Sequence, residues 1–108
     1  MKIKPLSLLA ASLFCIANTA FAQADAGKDA LYVKSLAATC ANCHGTNGKA
    51  VEGSSVVSIA GLDKAYMIAQ MKAFKAGSRP ATIMHQLSKG YSDAQIETLA
   101  TYFAAQKK

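Results

Sequence analysis

Cys40-Ala41-Asn42-Cys43-His44 is the stretch on which the reading of this 108-residue chain turns. It has the form C-x-x-C-H, the attachment sequence for c-type haem. Two thiols at i and i+3 on one helical turn face the same side, so each is able to bond one haem vinyl group. The histidine that follows turns its imidazole towards the iron. A redox disulfide needs the same C-x-x-C at a helix start within a βαβ pattern, and no alternating strand pattern is present. A structural zinc site needs four ligands, whereas the chain beyond residue 22 offers only Cys40, Cys43, His44 and His85, in no familiar zinc spacing.

Outward from the motif the pattern is helical. Leu31, Val33, Leu36 and Ala37 predict an amphipathic helix over about 25–39 that leads into the cysteines. On the other side, Gly45, Gly48, Gly53 and Gly61, with Ser54, Ser55 and Ser58, predict a long irregular loop, and loops of that length are usually functional. A second helix is expected over 63–76, with Met67, Met71 and Phe74 on one face and Gly77 to end it. Residues 81–88 suit a short helix before Gly90. The last helix has the clearest start: Ser92 followed by Gln95 is a capping box, and Asp93 complements the helix dipole. Ile96, Leu99, Ala100 and Phe103 then recur at helical spacing. Three short helices and long loops make a small core, and a bound group is expected to fill its middle.

The first residues read as an export label. Lys2 and Lys4 precede a twelve-residue apolar run over 6–17, and Ala20-Phe21-Ala22 is an A-x-A cleavage site. A membrane span takes about 20 apolar residues, so the run is read as a cleaved secretory signal over 1–22 rather than an anchor. Cys15 lies within it and leaves with it. The expected domain is then 23–108, located in the periplasm, with no stable membrane insertion. The whole chain carries 12 Lys and Arg against 6 Asp and Glu, and removing Lys2 and Lys4 lowers the net charge from +6 to +4. That mild surplus serves solubility and steers encounters with acidic surfaces. No long like-sign run is present, which argues against nucleic acid as a partner.

Iron held by His44 needs a ligand on its other side. A methionine thioether is the common choice and raises the potential. Met67 and Met71 fall on the apolar stripe of a predicted helix, where methionine usually fills core. Met84 lies beyond the Arg79-Pro80 turn, outside both regular helices, and is the preferred candidate. His85 is the nitrogen alternative.

The chain from residue 23 onward resembles a small class I cytochrome c. More closely, Cys40-Ala-Asn-Cys-His-Gly-Thr-Asn-Gly48, Ser58-Ile-Ala-Gly-Leu62 and Ile83-Met84 through Lys89-Gly-Tyr-Ser-Asp93 are similar to the cytochrome subunit of flavocytochrome c sulfide dehydrogenases. The resemblance implies an all-α fold with crossing N- and C-terminal helices, Gly27 and Leu31 meeting Leu99 and Tyr102. It implies one covalent haem c on Cys40 and Cys43, with His44 and Met84 as axial ligands and Ile59, Leu62, Tyr66 and Phe74 in the pocket. Arg79 is placed to pair with a haem propionate. The implied role is electron transfer without catalysis by this chain, the donor being an FAD-containing sulfide-oxidising flavoprotein. The alternative is a free shuttle serving an oxidase or another dehydrogenase. In one respect the sequence departs from the class. A proline after the haem motif usually supplies the carbonyl that orients the histidine, and 51–60 contains none. A carbonyl near Ser58 is expected in its place.

Overall fold

The computed structural model describes residues 27–108. The signal segment, Cys15 and the predicted helix start at residue 25 lie outside the described residues. Residues 27–44 are helical (α1), so the first helix does not stop at Thr39 but carries the whole C-x-x-C-H motif on its last turns. A short 3₁₀ turn, Thr46–Gly48, follows. Then come α2 (Lys64–Ala76), α3 (Met84–Leu87), a second 3₁₀ turn (Ser88–Gly90) and α4 (Asp93–Ala104). No strand occurs among the described residues. The compact unit is Val33–Lys108; of the unit before it, 27–32 is described and is helical.

The helix boundaries have local causes. Asp63 caps α2, its carboxylate accepting from the Tyr66 N–H at 2.8 Å. Gly77 closes the same helix in the left-handed conformation at φ 76°, donating back to the Phe74 carbonyl at 3.0 Å. The capping box of α4 is complete: Gln95 N–H donates to Ser92 Oγ at 3.1 Å, and Ser92 N–H donates to Gln95 Oε1 at 2.9 Å.

One core joins the helices. Ala37 of α1, Met67 of α2 and Leu99, Ala100 and Phe103 of α4 are buried together, with Leu36, Cys40, Ile59 and Leu62 packed on them. The crossing of α1 and α4 is therefore centred on Leu36 and Ala37. Leu31 is 66% exposed, and a Cβ on Gly27 would meet nothing within 4 Å. Within the compact unit Val33, Leu36, Ala37 and Cys40 form one stripe at helical spacing, and the small Ala37 lets the helices approach.

The loop after the motif is organised by Gly48. Its carbonyl accepts from Ile59 N–H at 2.7 Å, Ala60 N–H at 3.0 Å and Ser58 Oγ at 2.9 Å. A Cβ there would lie 2.7 Å from Ile59 Cγ1 and 2.8 Å from Phe103 Cδ1, and φ is +79°, so only glycine fits. Gly61 N–H then donates to the Phe103 carbonyl at 2.8 Å, tying the end of the loop to α4.

Candidate functional site

The helices and the loop enclose an apolar cavity of about 320 Å³. Its wall is built from Leu99, Ala100 and Phe103 of α4, from Met67, Met71 and Phe74 of α2, and from Ile59, Leu62 and Tyr66. Cys40, His44 and Met84 also reach it, and Arg79 is the cation on its wall. Ile59, Leu62, Tyr66 and Phe74, the four side chains expected in the pocket, therefore all border the same space. Cys43 is exposed, and His85 is not on the wall.

His44 is held by its own loop. Its Nδ1 lies 2.7 Å from the carbonyl oxygen of Val57. A carbonyl only accepts, so Nδ1 is the donor, and in the neutral ring the lone pair is on Nε2. This is the arrangement that fixes the tautomer and ring orientation of an iron-directed imidazole. The orienting carbonyl is one residue before Ser58 and follows from the closure on Gly48.

Cys40 is half-buried, and burial pushes its thiol above the ordinary cysteine range, against smaller lowering from Thr39 and Tyr91. Thr39 Oγ1 donates to the Leu36 carbonyl at 2.7 Å. Having spent its proton there, it accepts from the Tyr91 hydroxyl at 2.6 Å. It stands 3.9 Å from Cys40 Sγ. This bond ties the motif to the chain just before α4, and sequence spacing gave no hint of it.

Met84 is the first residue of α3 and half-buried. Its turn is held against α2. Ser88 Oγ donates to Met71 Sδ at 3.7 Å, and Lys75 Nζ donates to the Tyr91 carbonyl at 2.8 Å and to Asp93 at 3.1 Å. Lys72 adds an ion pair to Asp93 at 3.4 Å. Arg79 lies over the Phe74 ring, 4.5 Å from its centroid, and donates to Gln70 Oε1.

This donor set fits haem c. The cavity is lined by apolar side chains, carries imidazole and thioether donors and bears no carboxylate on its wall. A porphyrin needs such a lining, and low-spin iron takes such neutral ligands. Among the described residues no three His, Cys, Asp or Glu side chains are grouped to hold a bare metal ion. No described helix is long and apolar enough to cross a membrane.

The fold and this cavity define an all-α protein with a C-x-x-C-H motif at a helix end, that is, a class I c-type cytochrome. Residues 30–107 match the cytochrome c family, and the chain belongs to it. It is 40% identical over 68 residues to the cytochrome subunit of sulfide dehydrogenase of Chlorobaculum tepidum, covering 63% of this chain and 60% of that one. It is 35% identical over 71 residues to a thiosulfate dehydrogenase electron acceptor of Thiomonas intermedia, covering 66% of this chain and 33% of that one. Cytochrome c4 of Pseudomonas aeruginosa is 35% identical over 84 residues, covering 78% of this chain and 41% of that one. The matches thus span a third to three fifths of these relatives' lengths. Family membership carries a covalently bound haem c, for which Cys40 and Cys43 are positioned, and electron transfer as the function.

Proposed function

We propose that the chain is a periplasmic monohaem cytochrome whose haem is bonded to Cys40 and Cys43 and ligated axially by His44 and Met84. Haem c supplies a one-electron iron(II)/iron(III) couple. The chain's own residues do the rest. Val57 holds the His44 imidazole with Nε2 free, and the apolar wall of α2 and α4 excludes water. The thioether of Met84 favours the reduced state and so raises the potential. The observation that carries the reading is the shared cavity: His44, held by Val57, and Met84 both border it. Met71 borders it with its sulfur engaged by Ser88, Met67 is part of the packed core, and His85 is off the wall.

Electrons reach it from an FAD-containing, sulfide-oxidising flavoprotein to which it is a subunit. The support is the likeness to the Chlorobaculum tepidum subunit. The likeness to thiosulfate dehydrogenase electron acceptors favours a second reading, a carrier that meets a different dehydrogenase in passing. Cleavage of 1–22 would leave the domain 23–108.

The test uses protein purified gently from the native periplasm. Its amino terminus should map to Gln23, and its spectrum should show low-spin c-type haem with a copurifying, dithionite-bleachable flavin. Haem without flavin at any salt concentration would turn the reading to the free carrier. Replacing Met84 by Ala should convert ferric low-spin haem to high-spin, and an unchanged spectrum would remove Met84 from the axial position.

A further inference from the structure

Three methionines border the one cavity, and only one sulfur is able to take the iron's second axial place. Met67 is 8% exposed and packed into the shared core. Met71 is not so confined. It is half-buried on α2, on the same wall as Met84. What distinguishes the two is Ser88. Its residue is 0% exposed, and its hydroxyl donates to Met71 Sδ at 3.7 Å. A serine in a helical turn is able to return its hydroxyl to the carbonyl four residues back, here that of Met84. In this turn the backbone N–H of Ser88 makes the ordinary helical bond to the Met84 carbonyl, shared with that of Gln86, while the hydroxyl is turned across to α2. A buried hydroxyl without a partner is costly, and the weak thioether acceptor is the partner it takes. Ser88 thus joins the two elements: its main chain closes the turn that Met84 opens, and its side chain engages the Met71 sulfur.

We propose that Ser88 is a positioning residue that decides which methionine ligates the iron: it holds the Met71 sulfur off the haem and sets the Met84 turn in register. The proposal rests on the axial pair His44 and Met84. Removing the hydroxyl leaves no costly orphan behind, because a thioether loses little without its donor. The fold should therefore survive Ser88→Ala while the choice of ligand relaxes.

The experiment uses the full chain matured with haem and labelled with ¹³C at the methionine methyls. In the reduced low-spin protein the ring current moves the ligating methyl far upfield of the others. The parent should show one such methyl, lost in Met84→Leu. If the parental resonance persists there unshifted, it is not that of Met84 and the axial reading fails, whatever Ser88 does; a new upfield methyl that Met71→Leu removes overturns the Ser88 proposal instead. With Met84 so assigned, Ser88→Ala should show a second upfield methyl at about a tenth of the total intensity or more, the top of an ordinary minor-state population. Adding Met71→Leu should abolish it. A single Met84 methyl at parental intensity in Ser88→Ala overturns the proposal. Should Ser88→Ala not accumulate, Met84→Ala tests the same grip with Ser88 intact. Met71 should then stay off the iron and leave high-spin ferric haem; an upfield Met71 methyl in that variant overturns the proposal.

Discussion

His44 and Met84 border the same cavity but are fixed by different means. His44 ends an eighteen-residue helical stretch, 27–44, and its imidazole is oriented by a carbonyl 13 residues further on, in a loop closed upon Gly48. Met84 opens a helix of four residues that has no side-chain cap. A helix of that length does not persist by itself. It is set in place from outside, by Met71 and Lys75 of α2 and, through Tyr91, by Thr39 of α1. The first segment carries its own geometry; the second borrows it from its neighbours.

The largest effect should come from breaking the self-contained segment. Exchanging Cys40 and Cys43 together for Ser should abolish covalent attachment altogether, so that all haem is extracted by acidic acetone. Retention of haem by the denatured variant would refute the assignment of these thiols. Next, Gly48→Ala forces a Cβ against Ile59 and Phe103 at a positive φ. Overpacking of this kind costs about 1–3 kcal/mol, read as a lowered denaturation midpoint. The His44 segment should loosen more than the Met84 segment in hydrogen exchange.

Ser92→Ala acts on the other segment. It removes the cap of α4 next to Tyr91 and should cost about 1 kcal/mol, with faster exchange at 88–95 and little change at 45–60. Equal loosening of both would show that the two segments are one cooperative unit.

The smallest effect is that of Asp93, held below the ordinary aspartate range first by the hydrogen bond from Lys75, then by the charge of Lys72. A folded value below the unfolded one means a contribution fully present above about pH 3.9 and lost as pH falls through the depressed value. Asp93→Asn should flatten the melting temperature across that acid window. The flattening should shrink in high salt, since the pair is exposed. An acid profile identical to the parent's would leave Asp93 without a role in holding the turn.

Sequence made the self-contained segment readable because its determinants are close together: Cys40, Cys43 and His44 stand at i, i+3 and i+4 of one helix, and glycines mark the loop. Gly77, Ser92 and Gln95 were readable for the same reason, since caps are local. What the sequence did not disclose is tertiary. The carbonyl that orients His44 belongs to Val57, and no side chain announces a main-chain acceptor. Within the compact unit α1 meets α4 at Leu36 and Ala37, and a helical stripe gives a face but not the place along it where the partner packs. Met84 was selected by its position outside the regular helices. Ser88, four residues on, stands at the end of the expected short helix, and neither its burial nor its bond to Met71 has a signal in the sequence.

The three donors gathered on the Gly48 carbonyl have a practical consequence. They pin both ends of the stretch 49–57 at one point, so the length of chain at its tip is free to change while Val57 stays beside His44. Gly53 lies at that tip, exposed, with nothing within 4 Å of where a Cβ would stand. A guest peptide spliced in after Gly53, as a tether to an electrode or an affinity handle, should raise the closure cost by only about 0.6 kcal/mol for each doubling of the loop. The spectrum of the haem should not register its presence.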